Sequence, residues 1–158
     1  MSFERIDISD RSEQEGRSCV ILYNFGNKEL KKIQNFARIM GIKDQIVLNS
    51  KNGDETIKNI LEDKIEKTEG EGVKERAIIF NAIAPGKVHI FLENLKKVGI
   101  QRPLVAMVTE TSINWTIDVL VKNLIAERRA LRSPKILLKL RNLLRFEQSQ
   151  LFNVISSP

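Results

Sequence analysis

What this chain has little of excludes several kinds of chemistry. It contains one cysteine, Cys19, and one histidine, His89. A single cysteine cannot build a disulfide framework, which favours a reducing compartment, and the pair is too few ligands for a structural zinc site. No apolar run approaches the roughly 18 residues of a membrane-spanning helix, and the acidic N-terminus lacks the apolar region of a signal peptide. We therefore expect a cytoplasmic protein with no membrane span, metal or cofactor.

Signatures of catalysis are also missing. Gly70 and Gly72 lie in an acidic segment that would repel phosphate, and no Gly-Lys-Ser sequence follows them. No serine lies in a nucleophile elbow. His89 is more typical of a surface or packing residue, and Glu110 has no partner acid or base in view. We assign no catalytic residue and favour a protein that is not an enzyme.

What the chain does contain is a regular alternation of apolar strands and amphipathic helices. Of its 158 residues, 42% are apolar, which is enough for the core of one domain. Continuous apolar runs predict buried strands, and apolar residues at helical spacing follow each run. The predicted strands are 19–23, 45–48, 76–80 and 104–108, and the predicted helices are about 27–41, 55–67, 87–99 and 113–131. Asn27 is the predicted first N-cap, and a Pro85-Gly86 turn is predicted before the third helix. Such alternation indicates right-handed crossovers and a parallel sheet.

The predicted fold is therefore a three-layer α/β/α domain with a four-stranded parallel sheet. We expect this α/β domain to cover residues 18–132. A polar tail, residues 1–17, precedes it, and an amphipathic C-terminal helix with its tail, residues 133–158, follows it.

Polar residues come directly after each predicted strand. They are Asn24, Asn49, Asn81 and Thr109 with Thr111. Because parallel sheets bind ligands beyond the carboxyl ends of their strands, these side chains predict a shallow cleft for a small ligand or an anion. The alternative, which we favour, is that Asn and Thr only start turns and cap helices there.

The segment after the fourth strand carries the only tryptophan, Trp115. Thr111 or Ser112 is a plausible N-cap for the fourth helix, whose predicted buried residues are Ile117, Leu120, Val121, Leu124 and Ile125. Trp115 is not one of these predicted buried residues of the helix. Its side chain therefore has three possible roles: it packs against a loop, it contacts a protein partner, or it stacks on a ligand. Packing is the interpretation we favour, because large aromatic side chains are mostly buried in cores and contacts.

The same segment resembles a known family. An apolar strand followed by Thr109, Thr111, Trp115 and Thr116, and then a long helix containing Leu-Ile-Ala-Glu-Arg, is similar to the bacterial family called domain of unknown function 3783. The upstream Ile-Ile-Phe-Asn strand and Phe-Leu-Glu-Asn-Leu-Lys-Lys helix resemble that family too. The resemblance covers roughly Ala77 to Arg129. It implies a small cytosolic domain with no assigned activity.

A weaker similarity is to response-regulator receiver domains. Asn81 replaces the phosphoacceptor aspartate, and Thr109 follows a strand that resembles the one ending in their switch threonine. Asn24 and Phe25 stand where those domains carry an acidic pair, so no carboxylates are available for magnesium. The resemblance implies the strand order 2-1-3-4 and none of the chemistry.

The net charge of +6 is unevenly distributed. Residues 1–111 carry 18 Lys and Arg against 17 Asp and Glu, whereas residues 112–158 carry 8 against 3. The basic candidates of the C-terminal helix are Lys135, Lys139, Arg141 and Arg145. The sequence allows three interpretations of this helix. It packs on its own domain, it pairs with a second subunit, or it binds nucleic acid or an anionic membrane.

These observations favour a non-catalytic module that binds a protein partner or a second copy of itself. One alternative is a regulatory domain that binds a small ligand or an anion through Asn24, Asn81, Thr109, Thr111 and Trp115. Another is nucleic-acid binding through the basic C-terminal helix.

Overall fold

The computed structural model describes residues 16–132, and the predicted C-terminal helix and most of the predicted N-terminal tail lie outside this range. The strands are β1 (Cys19–Tyr23), β2 (Gln45–Leu48), β3 (Ala77–Asn81) and β4 (Leu104–Met107). The helices are α1 (Asn27–Ile39), α2 (Ile57–Leu61), α3 (Pro85–Lys97) and α4 (Ile117–Arg132). Two short 3₁₀ helices, Ser50–Asn52 and Ser112–Asn114, precede α2 and α4.

The four strands form one sheet in the order β2-β1-β3-β4, which confirms the predicted order. The prediction that all strands are parallel is wrong at the centre, where β1 and β3 are antiparallel. The outer pairs, β1 with β2 and β3 with β4, are parallel as expected. The sheet is therefore mixed, and the similarity to receiver domains is limited to strand order.

The path of the chain after α2 makes the central pair antiparallel. The predicted helix 55–67 would have carried the chain back across the sheet, but the observed α2 ends at Leu61. The irregular chain that follows it is bonded near the end of β1, where the Tyr23 hydroxyl donates to the Val73 carbonyl at 2.6 Å. Strand β3 therefore begins at Ala77, beside the end of β1 at Tyr23, and runs in the opposite direction.

The result is a molecule of two equivalent halves. The first half, residues 19–61, and the second half, residues 77–132, each contain a strand, a 13-residue helix, a parallel strand, a 3₁₀ helix and a final helix. Gly41 and Gly99 both end their helices with a φ of +83°, where glycine avoids the steric cost of a Cβ. The predicted first and third helices thus end at a glycine, at residues 41 and 99, as expected from their ranges.

A two-fold relation between the halves is visible in the strand pairing and at the helix starts. Ile21 lies opposite Ile79 at the centre of the β1–β3 ladder. Thr56 and Thr116, one residue before α2 and α4, form an antiparallel bridge. There the halves exchange main-chain hydrogen bonds, since Ile57 N donates to the Trp115 carbonyl and Ile117 N to the Glu55 carbonyl, both at 2.9 Å.

The sheet is covered on both faces by different helix pairs. Helices α1 and α3 pack against one face around Val20, Leu22, Ile78 and Phe80. On that face Phe91 contacts Phe36 and Phe80 with ring centroids 5.3 and 5.5 Å apart. Helices α2 and α4 cover the other face, where Ile117, Leu120 and Val121 are buried and Leu124 and Ile125 partly buried, as predicted. The three-layer arrangement is confirmed.

Three predicted helix starts are corrected. Helix α3 begins at Pro85, so the predicted Pro85-Gly86 turn is the first turn of the helix. Helix α1 begins at Asn27 itself, and Gly26 occupies the N-cap position without a side-chain cap. Helix α4 begins at Ile117, because Thr116 is its cap: the Thr116 Oγ1 accepts from Val119 N at 3.2 Å. Within residues 16–132 no helix has the length and apolar character needed to cross a membrane.

Candidate functional site

The polar residues at the strand ends do not share one edge of the sheet. Asn24 and Asn49 follow β1 and β2 at one end, whereas Asn81 and Thr109 lie at the ends of β3 and β4. The antiparallel register places Asn81 opposite Cys19, at the start of β1, and therefore at the opposite end from Asn24. The cleft predicted from four parallel strands is not formed, because the central pair reverses direction.

At the first end, the two asparagines shape the backbone. The Asn49 side chain accepts from Lys51 N at 2.9 Å, while the Asn52 side chain accepts from Asn49 N at 3.1 Å. This reciprocal capping box starts the first 3₁₀ helix. Asn24 has a φ of +62° and donates its main-chain N–H to the Leu48 carbonyl at 2.9 Å. Such left-handed positions are tolerated by asparagine better than by most residues.

At the second end, Thr109 forms an equivalent box with the buried Ser112. Thr109 N donates to the Ser112 Oγ at 2.9 Å, and Ser112 N donates to the Thr109 Oγ1 at 3.0 Å. Asn81 donates its side-chain amide to the Arg17 carbonyl at 2.8 Å. Thr111 precedes the second 3₁₀ helix, and its side chain makes no capping bond there. These roles agree with turn formation and capping.

Trp115 is partly buried and packs against the core between the sheet and helices α2 and α4. Its carbonyl also accepts from Ile57 N across the contact between the two halves. Both observations agree with the packing interpretation of this tryptophan.

Glu55 is a buried structural residue whose role was not predicted from the sequence, because Glu55 was interpreted as the first residue of an ordinary helix. Its side chain is almost fully buried, with 1% of the residue exposed. One carboxylate oxygen accepts from Thr56 N and the Asn59 amide, and the other from Glu66 N and Lys67 N, at 2.7–3.0 Å. Burial alone would raise the pKa of Glu55, but the four hydrogen bonds together lower it to about 2.

The Glu55 carboxylate fixes the first part of the linker between the halves, residues 62–76. Further along, the buried Tyr23 hydroxyl donates to the Val73 carbonyl at 2.6 Å, and Asp118 accepts from Val73 N at 2.9 Å. Burial and the nearby Asp118 charge raise the pKa of Tyr23 to about 12. A Cβ on Gly72 would lie 2.8 Å from the Tyr23 hydroxyl, so the linker passes too closely for a larger residue. The linker is therefore bonded to the domain at several points along its length.

Arg17, which precedes β1, bonds to the loop before β2 and to the end of α2. Its guanidinium contacts Asp44 at 2.6 and 2.9 Å, Asp63 at 2.9 Å and the Leu61 carbonyl at 2.9 Å. Hydrogen bonds from Arg17 hold the pKa of Asp44 below its usual range, and the two carboxylates raise the pKa of Arg17. Arg17, which was predicted to belong to the polar tail, thus contacts the folded domain.

The remaining titratable candidates are dispersed. Cys19 is a buried free thiol, and burial raises its pKa to about 11, which opposes reactivity as a thiolate. His89 is exposed on α3. Among residues 16–132, no three His, Cys, Asp or Glu side chains converge as a metal site. The basic candidates Lys135, Lys139, Arg141 and Arg145 lie outside the described residues.

Comparison with known proteins adds one finding. Residues 76–131 match the protein family described as Domain of unknown function (DUF3783). The resemblance predicted over roughly Ala77 to Arg129 is therefore confirmed, and the matched segment corresponds to the second half of the fold. No curated protein and no solved structure matches the chain.

Proposed function

We propose that this chain is a non-catalytic interaction module whose most direct partner is a second copy of itself, paired along an open edge of the sheet. The observation that carries this proposal is that, among residues 16–132, β2 and β4 each have a single neighbouring strand. Each also presents an exposed large apolar residue, Val47 at 47% and Met107 at 42%. An uncovered edge strand offers unpaired main-chain groups to another chain.

The two edges are equivalent in the two-fold relation between the halves. Val47 pairs in register with Leu22, and Met107 pairs with Phe80, at matching positions of the two parallel ladders. Because Leu22 and Phe80 both belong to the core under α1 and α3, Val47 and Met107 project from that same face of the sheet. A second copy bound antiparallel to either edge would form a closed two-fold dimer.

The non-catalytic part of the proposal is supported by what the polar side chains do. The Glu55 carboxylate is saturated by four donors, and Thr109 and Ser112 bond to each other. Within the described residues, every buried polar side-chain atom has a hydrogen-bond partner. Groups used in this way hold the backbone, whereas a catalytic acid or base keeps a lone pair or proton for substrate.

The test is the oligomeric state of the full-length chain, measured by sedimentation velocity between about 1 and 200 μM. We expect a concentration-dependent dimer that Val47→Lys or Met107→Lys converts to monomer, because a charge on an edge strand opposes edge-to-edge pairing. The matched control is Val119→Lys, which is also 42% exposed but lies on helix α4 rather than on an edge strand.

A wild-type chain that remains monomeric up to 200 μM would count against self-association. A dimer that persists in both edge variants and is lost only in the Val119 control would place the contact on α4 and contradict the edge.

A further inference from the structure

The positive charge of the described residues is concentrated on one layer of the fold. Helices α1 and α3 together carry seven Lys and Arg against two Glu. All other residues between 16 and 132 carry 13 against 12. The +5 excess of these two helices therefore accounts for nearly the whole net charge of residues 16–132. Six of the seven basic residues are exposed, and the seventh, Lys87, is half-buried.

The geometry of the two helices gathers five of these lysines toward one end of the layer. Because β1 and β3 are antiparallel and each continues into its helix by a short turn, α1 and α3 also run in opposite directions. The start of α3 therefore lies beside the end of α1, and the Lys87 Nζ would be 3.5 Å from a Cβ on Gly41. The other end combines the first turns of α1 with the last turn of α3. The lysines at that end, here called the lysine cluster, are Lys28, Lys31, Lys32, Lys96 and Lys97.

Little in the described part of the chain neutralises the lysine cluster. Lys96 has a long contact of 3.8 Å with Glu93, and the four other lysines make no ion pair with any described residue. Glu29, the only acid of α1, is instead bonded to Arg76 at 2.6 Å. Five exposed ammonium groups on two adjacent helices produce a positive potential that attracts a polyanion.

We propose that the lysine cluster is a binding site for the phosphodiester backbone of nucleic acid. Lysine binds phosphate as a point charge without demanding a fixed geometry. The outward positions of α1 and α3 contain no Trp or Tyr on which a base could stack. Binding is therefore electrostatic and independent of base sequence.

An anionic membrane surface fits this site less well. Interfacial helices insert an apolar face between lipid headgroups, but the large apolar residue exposed beside the lysine cluster is a single valine, Val98. The far more exposed Ile39 lies at the end of α1, at the other end of the layer. This site is separate from the open sheet edges, and its test does not depend on self-association.

The test is fluorescence anisotropy of the full-length chain with a fluorescent 30-base-pair duplex of arbitrary sequence, between 50 and 200 mM salt. If four or five lysines contact phosphate, the logarithmic salt slope is about −4, so the affinity falls roughly 150- to 500-fold over this range. A scrambled duplex should bind with the same affinity within about twofold. Substituting all five lysines of the cluster by Gln should weaken binding at 50 mM salt by at least about 30-fold and bring the slope near zero.

The matched control removes the same charge elsewhere. Its five exposed lysines, Lys51, Lys58, Lys64, Lys67 and Lys74, are replaced by Gln. We expect this control to retain the affinity of the wild type within about threefold. The affinity of non-specific binding depends on the lysines that contact phosphate, and the five control lysines do not belong to the proposed site. A third variant replaces Lys135, Lys139, Arg141 and Arg145 by Gln and reports on the C-terminal segment.

Circular dichroism and thermal melting check that each variant folds. Equal losses in the cluster variant and its control would show a bulk-charge effect and overturn the proposal. Loss confined to the C-terminal variant would move the site away from α1 and α3. Absence of binding at 50 mM salt, or binding to vesicles rich in anionic lipid but not to duplexes, would also overturn it.

Discussion

The two halves of the molecule have the same order of strands and helices but different side chains. Comparing them shows which features the shared backbone needs and which features belong to one half alone. In both halves, two side chains accept hydrogen bonds from the main chain of the turn after the second strand, Asn49 and Asn52 in the first half and Thr109 and Ser112 in the second. Different side chains thus supply the same donors and acceptors. The geometry of this turn, rather than the identity of its residues, is what the halves share.

The clearest difference lies directly before the last helix of each half. Glu55 and Trp115 occupy equivalent positions, since the carbonyl of each accepts from the isoleucine that starts the other half's helix. Glu55 bonds the linker that follows the five-residue α2, whereas Trp115 packs beside the 16-residue α4. A short helix followed by irregular chain leaves main-chain donors that need a buried acceptor. A long helix satisfies its own donors, and an aromatic side chain fills the space.

The family match sharpens this comparison. It covers 76–131, so it detects the half that keeps the long α4, and it does not detect the half whose final helix is short. The matched half supplies two strands of the sheet, β3 and β4. The other two strands come from the first half, whose core strand β1 is completely buried.

The largest expected effect tests whether the halves contribute equally to stability. Ile21 and Ile79 face each other at the centre of the sheet and are fully buried. We expect Ile21→Ala and Ile79→Ala each to lower the free energy of unfolding by about 2–5 kcal/mol, with a difference below about 1 kcal/mol. Urea unfolding followed by circular dichroism measures both. A nearly neutral effect of one substitution would show that the halves are not energetically equivalent.

The second-largest expected effect is a pH-dependent loss of stability on substitution of Glu55, which has no counterpart in the second half. Because the folded pKa of Glu55, about 2, is below that of an unfolded glutamate, its stabilisation is complete above about pH 5 and is lost as the pH falls toward 2. We expect Glu55→Gln to cost on the order of 2–3 kcal/mol at pH 7 and much less at pH 2. Urea unfolding across this pH range measures the change.

The control for Glu55 is its equivalent, Trp115→Phe, which introduces and removes no titrating group. It should lower stability by a similar amount at every pH between 2 and 7. A cost of Glu55→Gln that stays constant over the same range would contradict the proposed role of the carboxylate.

A smaller and again symmetric effect is expected at the helix ends. Gly41 and Gly99 share a φ of +83°, and no protein atom comes within 3.4 Å of a Cβ built on either one. The cost of an alanine is therefore conformational, about 1–2 kcal/mol at each position. Thermal melting of Gly41→Ala and Gly99→Ala compares them. A difference larger than about 1 kcal/mol would show that α1 and α3 do not end in equivalent ways.

The smallest effect concerns the two caps at the contact between the halves. The Oγ1 atoms of Thr56 and Thr116 both accept from the main chain three residues later, at 3.2 Å. Thr56→Ala and Thr116→Ala should each cost about 1 kcal/mol, while substitution by Ser should restore most of it. Urea midpoints provide the comparison. If neither alanine changes the midpoint, the caps contribute nothing beyond the main-chain bridge.

Much of the local structure could be predicted, because it depends on near neighbours in the chain. The apolar runs located β1 and β2 to the residue, and the glycines located the ends of α1 and α3. The fate of Glu55 could not be predicted, since two of its four donors belong to a linker 11 and 12 residues away. The repeat of a Gly-Ile pair after a helix and a Thr-Ile pair before one, in both halves, was the available signal of the two-fold relation.

The predicted ligand cleft depended on strand direction, which could not be predicted from the sequence. Asn24, Asn81 and Thr109 were correctly placed at strand ends, yet they lie at opposite ends of the sheet. Nothing in the alternation of apolar runs encodes strand direction, because a strand reads the same way whichever way it enters a sheet.

By itself the sequence determined the strands, most of the helices and the family resemblance of the second half. These follow from periodicity, caps and short motifs, which act over a few residues. Only the tertiary structure decided the direction of β3, the pairing of the two halves and the gathering of lysines from α1 and α3 at one end of a layer. Each of these depends on how far a connection of given length can reach and on contacts between residues that are distant along the chain.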